Sequence, residues 1–110
     1  MHELSIAQEM MRLVFENAGE AKVVRIGIDI GDLTGFEPDA LTFCLEALLD
    51  KTPAAGATLD VARIPGSGFC NTCARVVALA RRYDACPECG GLDVDLRGGR
   101  ELRLRELEVE

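Results

Sequence analysis

The 110-residue chain has no tryptophan, one tyrosine and one histidine, and aromatic residues make up only 5% of it. Base-stacking nucleic-acid modules interleave aromatics with cations, so this scarcity argues against that class. No apolar run approaches the ~20 residues needed to span a bilayer, so no membrane association is expected. No amino-terminal signal peptide is visible, which points to a reducing cytoplasmic setting and against disulfides. No paired-carboxylate cleft or nucleophile–base set stands out. Gly31-x-x-x-Gly35 lacks the lysine and hydroxyl residue of a phosphate loop. The sequence predicts no catalytic residue and no enzyme. Positive charge is also short: the formal net charge is −7. Closing four thiolates on one divalent ion would make it more negative still. Such a chain is a poor partner for phosphate backbones.

Cysteine is well represented, with five residues. Four form two pairs, Cys70-x-x-Cys73 and Cys86-x-x-Cys89, separated by twelve residues. Each C-x-x-C turn presents two sulfurs to one point, and the intervening loop returns the second turn to face the first. Pro87 restrains the second turn, and Gly90 can adopt the positive φ of a tight metal knuckle. Ala74 follows the first pair and suits that conformation less well. Haem attachment would need histidine after the second cysteine, where Ala74 and Gly90 stand. The reading is one structural Zn2+ per chain. Iron in the same four-thiolate shell stays open, because thiolates suit both metals. A filled shell leaves no position for substrate, so the site is a scaffold. A segment of this size is not expected to build its own apolar core.

Periodicity organises the rest. Residues 4–18 read as an amphipathic helix with Leu4, Ala7, Met11 and Val14 on one stripe. Ser5 and Gln8 fit a capping box, and Gly19 is a natural stop. The Met10–Met11 pair reads as core filler. Residues 23–30 alternate as a half-buried strand, with Val24, Ile26, Ile28 and Ile30 on one face. Pro38 opens a second helix with Asp39 in its first turn, and the helix ends before Pro53. Cys44 lies on its apolar stripe and reads as a small buried side chain. Residues 58–64 form a second strand and 101–109 a third. Leu102 and Leu104 have opposite parity to Leu107 and Val109, which predicts a β-bulge near Arg105–Glu106.

The expected fold class is α+β. Two helices cover one face of a three-stranded sheet, the other face meets water, and a zinc-ribbon or rubredoxin-like knuckle module is inserted. The glycine-rich stems at 65–68 and 98–99 place a first domain at 1–66 and 99–110, and the zinc module at 67–98.

His2, the lone histidine, follows Met1. A bulky second residue keeps the initiator methionine. The α-amine, the His2 amide nitrogen and its imidazole then form fused chelate rings suited to square-planar Ni(II) or Cu(II). A fourth donor is available from the Glu3 amide nitrogen, a carboxylate or water.

Met1-His2-Glu3-Leu4-Ser5, the stretch Gly31-Asp32-Leu33-Thr34-Gly35-Phe36-Glu37-Pro38 and the C-x-x-C…C-P-x-C-G module occur in one order over the whole chain. Together they resemble the HypA/HybF family, nickel metallochaperones of [NiFe]-hydrogenase maturation. The resemblance implies Ni2+ binding at Met1, His2 and Glu3, as transferable cargo. It implies zinc at Cys70, Cys73, Cys86 and Cys89. It further implies delivery to the hydrogenase large subunit precursor with a HypB-type GTPase. Some relatives serve urease, so urease maturation proteins are a second partner class, and a homodimer is compatible. Ala74, Thr34 and Phe36 depart from the family pattern without removing a ligand.

Two rivals follow from the residues. Arg63, Arg75, Arg81 and Arg82 make the module locally basic, which suits a zinc-ribbon nucleic-acid or transcription-type module. Iron in the cage would suit a rubredoxin-like electron carrier.

Overall fold

A computed structural model of the chain describes residues 3–110. Its elements are α1 (Glu3–Ala18), β1 (Val23–Gly31), a 3-10 turn (Asp32–Thr34), α2 (Pro38–Leu49) and β2 (Thr58–Ile64). Next come β3 (Ser67–Cys70), β4 (Arg75–Ala78), β5 (Val94–Gly98) and β6 (Leu102–Val109). One three-stranded sheet has the order β2-β1-β6 and the other β4-β3-β5. The α+β class, the two helices and the four-cysteine knuckle module are as the sequence predicts. The chain divides into two compact units. One holds the residues up to Asp29, Phe36–Ala62 and Arg103–Glu110; the other holds Ile30–Gly35 and Arg63–Leu102.

In the first unit, α1 buries Ala7, Met10, Met11 and Val14. It ends where Gly19, at φ +61°, donates its amide to the Phe15 carbonyl at 3.0 Å. The helix starts at Glu3, so Ser5 lies in its first turn and does not cap it. Glu37 caps α2, and Pro38 takes the first helical position. Leu41, Leu45 and Leu49 form the inward stripe. Cys44 is half-buried, more open than expected. Full burial of Val14, Ile26, Ile28, Leu41 and Leu45 stabilises the unit by roughly 1.5–3 kcal/mol per side chain.

The outer sheet face departs from expectation. Asp29 is only 3% exposed. Arg103 Nε and Arg105 Nη1 donate to its two oxygens at 2.9 and 2.5 Å. Asp60 accepts from Arg25 and Arg105, each at 2.9 Å, and Arg25 also reaches Glu106 at 2.9 Å. An ion-pair lattice with long arginine stems covers a face predicted to meet water. Arg105 and Glu106 are neighbours, yet both lie against the bare Cα of Gly27. Successive strand residues normally face opposite ways. The alternation therefore slips by one residue here, and Leu102, Leu104 and Leu107 are all half-buried. The slip fits the predicted bulge for these three leucines, whereas Val109, expected on the same face, is exposed.

In the second unit β3 is the central strand, antiparallel to both β4 and β5. A register shift interrupts the β3–β5 pairing at Ser67/Gly68. This unit has a small apolar cluster, contrary to expectation: Leu33, Cys70, Val77, Leu79 and Cys86, with Val94 and Leu96 against it. Leu33 comes from the 3-10 turn between β1 and α2, whose amide binds the Gly99 carbonyl at 2.8 Å. A Cβ on Gly66 would strike Leu33 and the Leu79 carbonyl, so glycine there makes room for the leucine.

Candidate metal centre

The two C-x-x-C turns close alike at the backbone, with different amides facing their first sulfurs. Cys73 N–H points at Cys70 Sγ, and Glu88 N–H at Cys86 Sγ, both at 3.4 Å. Ala74 N–H donates to the Cys70 carbonyl at 2.7 Å, and Gly90 N–H to the Cys86 carbonyl at 2.8 Å. Gly91 N–H points at Cys89 Sγ at 3.4 Å. Amides aimed at sulfur favour thiolates over thiols.

The four sulfurs converge. Cys70 Sγ lies 3.6 Å from Cys89 Sγ, and Cys73 Sγ lies 3.9 Å from Cys86 Sγ. All four fall within 4.8 Å of one another. An ion about 2.3 Å from each vertex of a sulfur tetrahedron sets the sulfurs roughly 3.8 Å apart. The Cys70–Cys89 and Cys73–Cys86 separations bracket that value, so the donor set fits such an ion. Cys70 and Cys86 are buried, Cys73 is half-buried and Cys89 is exposed. Hydrogen bonds from the Cys89 and Glu88 amides pull the Cys86 thiol down to about 7. Sharing hydrogen with Cys89, then burial and the other sulfurs, pushes Cys73 up to about 12. The crowded sulfurs resist carrying four negative charges, and a divalent cation relieves that repulsion.

Residues outside the cysteine pattern hold the cage. Arg75, after the first turn, pairs with Glu88 inside the second. Asn71 Nδ2 donates to Asp93 Oδ1 at 3.0 Å and to Asp95 Oδ2 at 3.2 Å, which ties the first turn to β5. Arg63 pairs with Asp32 at 2.9 Å, and the Arg97 guanidinium lies 5.2 Å over the Phe69 ring. Two of the four arginines of the expected basic surface, Arg63 and Arg75, are thus paired, while Arg81 and Arg82 are exposed. Sequence reasoning missed Leu33, Asn71 and the Arg75–Glu88 pair. The placement of Glu88 between two ligands was the available signal for the last.

Met1 and His2 lie outside the described residues. Glu3 opens α1, and its Oε2 accepts the Glu37 amide at 3.1 Å. No helix among the described residues is long and apolar enough to cross a membrane.

Comparison with known proteins decides the family. The model of a family described as hydrogenase/urease nickel incorporation, metallochaperone, hypA, matches residues 1–109. The chain belongs to this family. The hydrogenase maturation factor HypA of Azoarcus sp. (strain BH72) is 46% identical over 110 residues, covering 97% of this chain and 96% of its own. That of Geotalea uraniireducens (strain Rf4) is 46% identical over 110 residues and covers both chains fully. The solution structure of the Ni metallochaperone HypA from Helicobacter pylori matches with a TM-score of 0.66 at 25% identity, over 99% of this chain and 97% of that one. Members are metallochaperones and maturation factors, so the chain is not an enzyme.

Proposed function

We propose that this chain carries Ni(II) on Met1, His2 and Glu3 and delivers it to the [NiFe]-hydrogenase large subunit precursor. In this reading Cys70, Cys73, Cys86 and Cys89 hold one structural Zn(II). The first compact unit then carries the nickel segment, and the second contains the zinc module at 67–98. The observation that carries the reading is the sulfur cage. Its four donors converge within 4.8 Å of one another, so an ion bound by all four would have a full shell. A carrier needs a second, more labile donor set. The only imidazole in the chain is His2.

A HypB-type GTPase is the proposed assisting partner, urease maturation proteins are a second destination, and homodimerisation is compatible. The setting is cytoplasmic, with no nucleic acid and no membrane. Zinc suits the cage because it has no preference for a plane, whereas Ni(II) gains from in-plane nitrogen donors. The nucleic-acid alternative is weakened by the net charge of −7 and by the pairing of Arg63 and Arg75 with Asp32 and Glu88.

Tag-free protein is titrated with Ni(II) by calorimetry beside His2→Ala. The variant should lose nickel binding and keep one zinc per chain. Unchanged nickel affinity overturns the reading. Imidazole and α-amine, with ordinary pKa values near 6.5 and 7.7–8.0, must lose protons to bind metal. Nickel affinity should therefore fall steeply from about pH 8 to 6, and a flat profile counts against this ligand set.

A further inference from the structure

The inward stripe of α2 is complete with Leu41, Leu45 and Leu49. Phe43 takes no part in it and is 67% exposed. A single exposed phenylalanine is ordinary, but this one borders an open groove of about 660 Å³. Phe43, Glu46, Ala47, Asp50, Ala55 and Ala57 line it. Its floor is made of small apolar side chains, and its charges are all of one sign.

Asp39, Phe43, Glu46 and Asp50 fall at i, i+4, i+7 and i+11, and all four are exposed. Asp39, Phe43 and Glu46 form one outward row on α2, and Asp50 follows at its C-cap. The last turn of α2 has no basic residue. The carbonyl end of a helix is already partially negative, so Glu46 and Asp50 stand where a helix is least stabilised by acids. The fold gains nothing from this arrangement, whereas a cationic partner does. The chain's acidic excess also lies in this unit.

We propose that the Phe43 groove docks a protein segment carrying a large apolar side chain flanked by lysines or arginines. Phe43 and the alanine floor take the apolar group, as a desolvated anchor in a pocket does. Glu46 and Asp50 form the acidic rim that steers and orients the cations. Phosphate backbones are repelled by this rim. A two-fold pair of identical copies would bring acidic row against acidic row, so a second copy is disfavoured too.

The probe is a synthetic peptide, acetyl-Lys-Leu-Lys-Arg-Leu-Leu-Lys-Arg-amide, titrated into full-length, zinc-loaded, isotope-labelled protein at low salt. Amide shifts should cluster at 43–50 and 55–57. Phe43→Ser is surface-exposed and keeps the fold, and it should weaken binding by roughly tenfold or more. The double variant Glu46→Lys/Asp50→Lys should do the same, and so should replacing the peptide leucines with serine. Shifts spread evenly over the acidic unit, or equal affinity for Phe43→Ser, would overturn the proposal. So would sedimentation showing a dimer that dissolves in Phe43→Ser, since the occupant would then be a second copy. Nickel titration does not enter this readout, so its outcome stands apart from the carrier reading.

Discussion

Ala74 and Gly90 occupy equivalent places in the two cysteine turns. Their φ angles are +57° and +74°, and each donates its amide to the carbonyl of its turn's first cysteine. Left-handed backbone costs an alanine about 1 kcal/mol that a glycine does not incur. Ala74→Gly should therefore stabilise the metal-loaded module by about 0.5–1 kcal/mol, and Gly90→Ala should destabilise it by a similar amount. Thermal unfolding of the zinc-loaded proteins checks both. Equal melting temperatures for all three would show that the left-handed backbone carries no such cost in these turns.

The sulfur cage should release protons when it fills. With Cys73 pushed up to about 12 and Cys89 also raised, the metal-free cage near pH 7.5 still carries thiol protons. Loading one zinc should expel two or more protons, so zinc affinity rises with pH. Calorimetry in buffers of different ionisation enthalpy counts them. Release of one proton or none would mean the cage is already ionised before metal arrives. Cys73→Ser should sharply weaken zinc binding, and chelator treatment of the wild type should loosen the second unit.

Asp29 anchors the outer face of the first sheet. Burial alone would raise its carboxyl, but Arg105 and Arg103 hold it below the usual carboxylate range. A carboxyl lowered in the folded state contributes stability that is complete above its unfolded value of about 3.9 and fades as pH falls further. Asp29→Ala removes this contribution, while Arg105 keeps its pair with Asp60, so the cost is roughly 1–3 kcal/mol. Denaturant unfolding at pH 7 and pH 3 should show a gap between wild type and variant that shrinks in acid. A gap that stays constant would show that packing, not charge, makes Asp29 matter.

The cage was legible because two-residue gaps in each pair fix how thiols converge, whatever the surrounding fold. Most of the inward faces of α1 and α2 were legible for a similar reason, because a helical period assigns every residue a side, although Leu4 is exposed and Leu49, not Cys44, completes the α2 stripe. Even the slip at Arg105–Glu106 left a parity signature. Asp29 was not legible. Alternation put it on a polar face, and only arginines 74 and 76 residues away cover it. Leu33 sits in a glycine-flanked turn with no period, so nothing local marked it as core. Phe43 broke the pattern of its helix in a single position, too little to distinguish docking from chance.

Leu33 carries one more consequence. The cysteine ribbon reads as a cassette between glycine stems, yet the leucine that fills its interior is encoded some thirty residues upstream, between β1 and α2. Excising 63–102 as a free peptide would leave a leucine-sized hole beneath Cys70 and Cys86. Transplanting the ribbon onto another scaffold would require bringing that distant plug along.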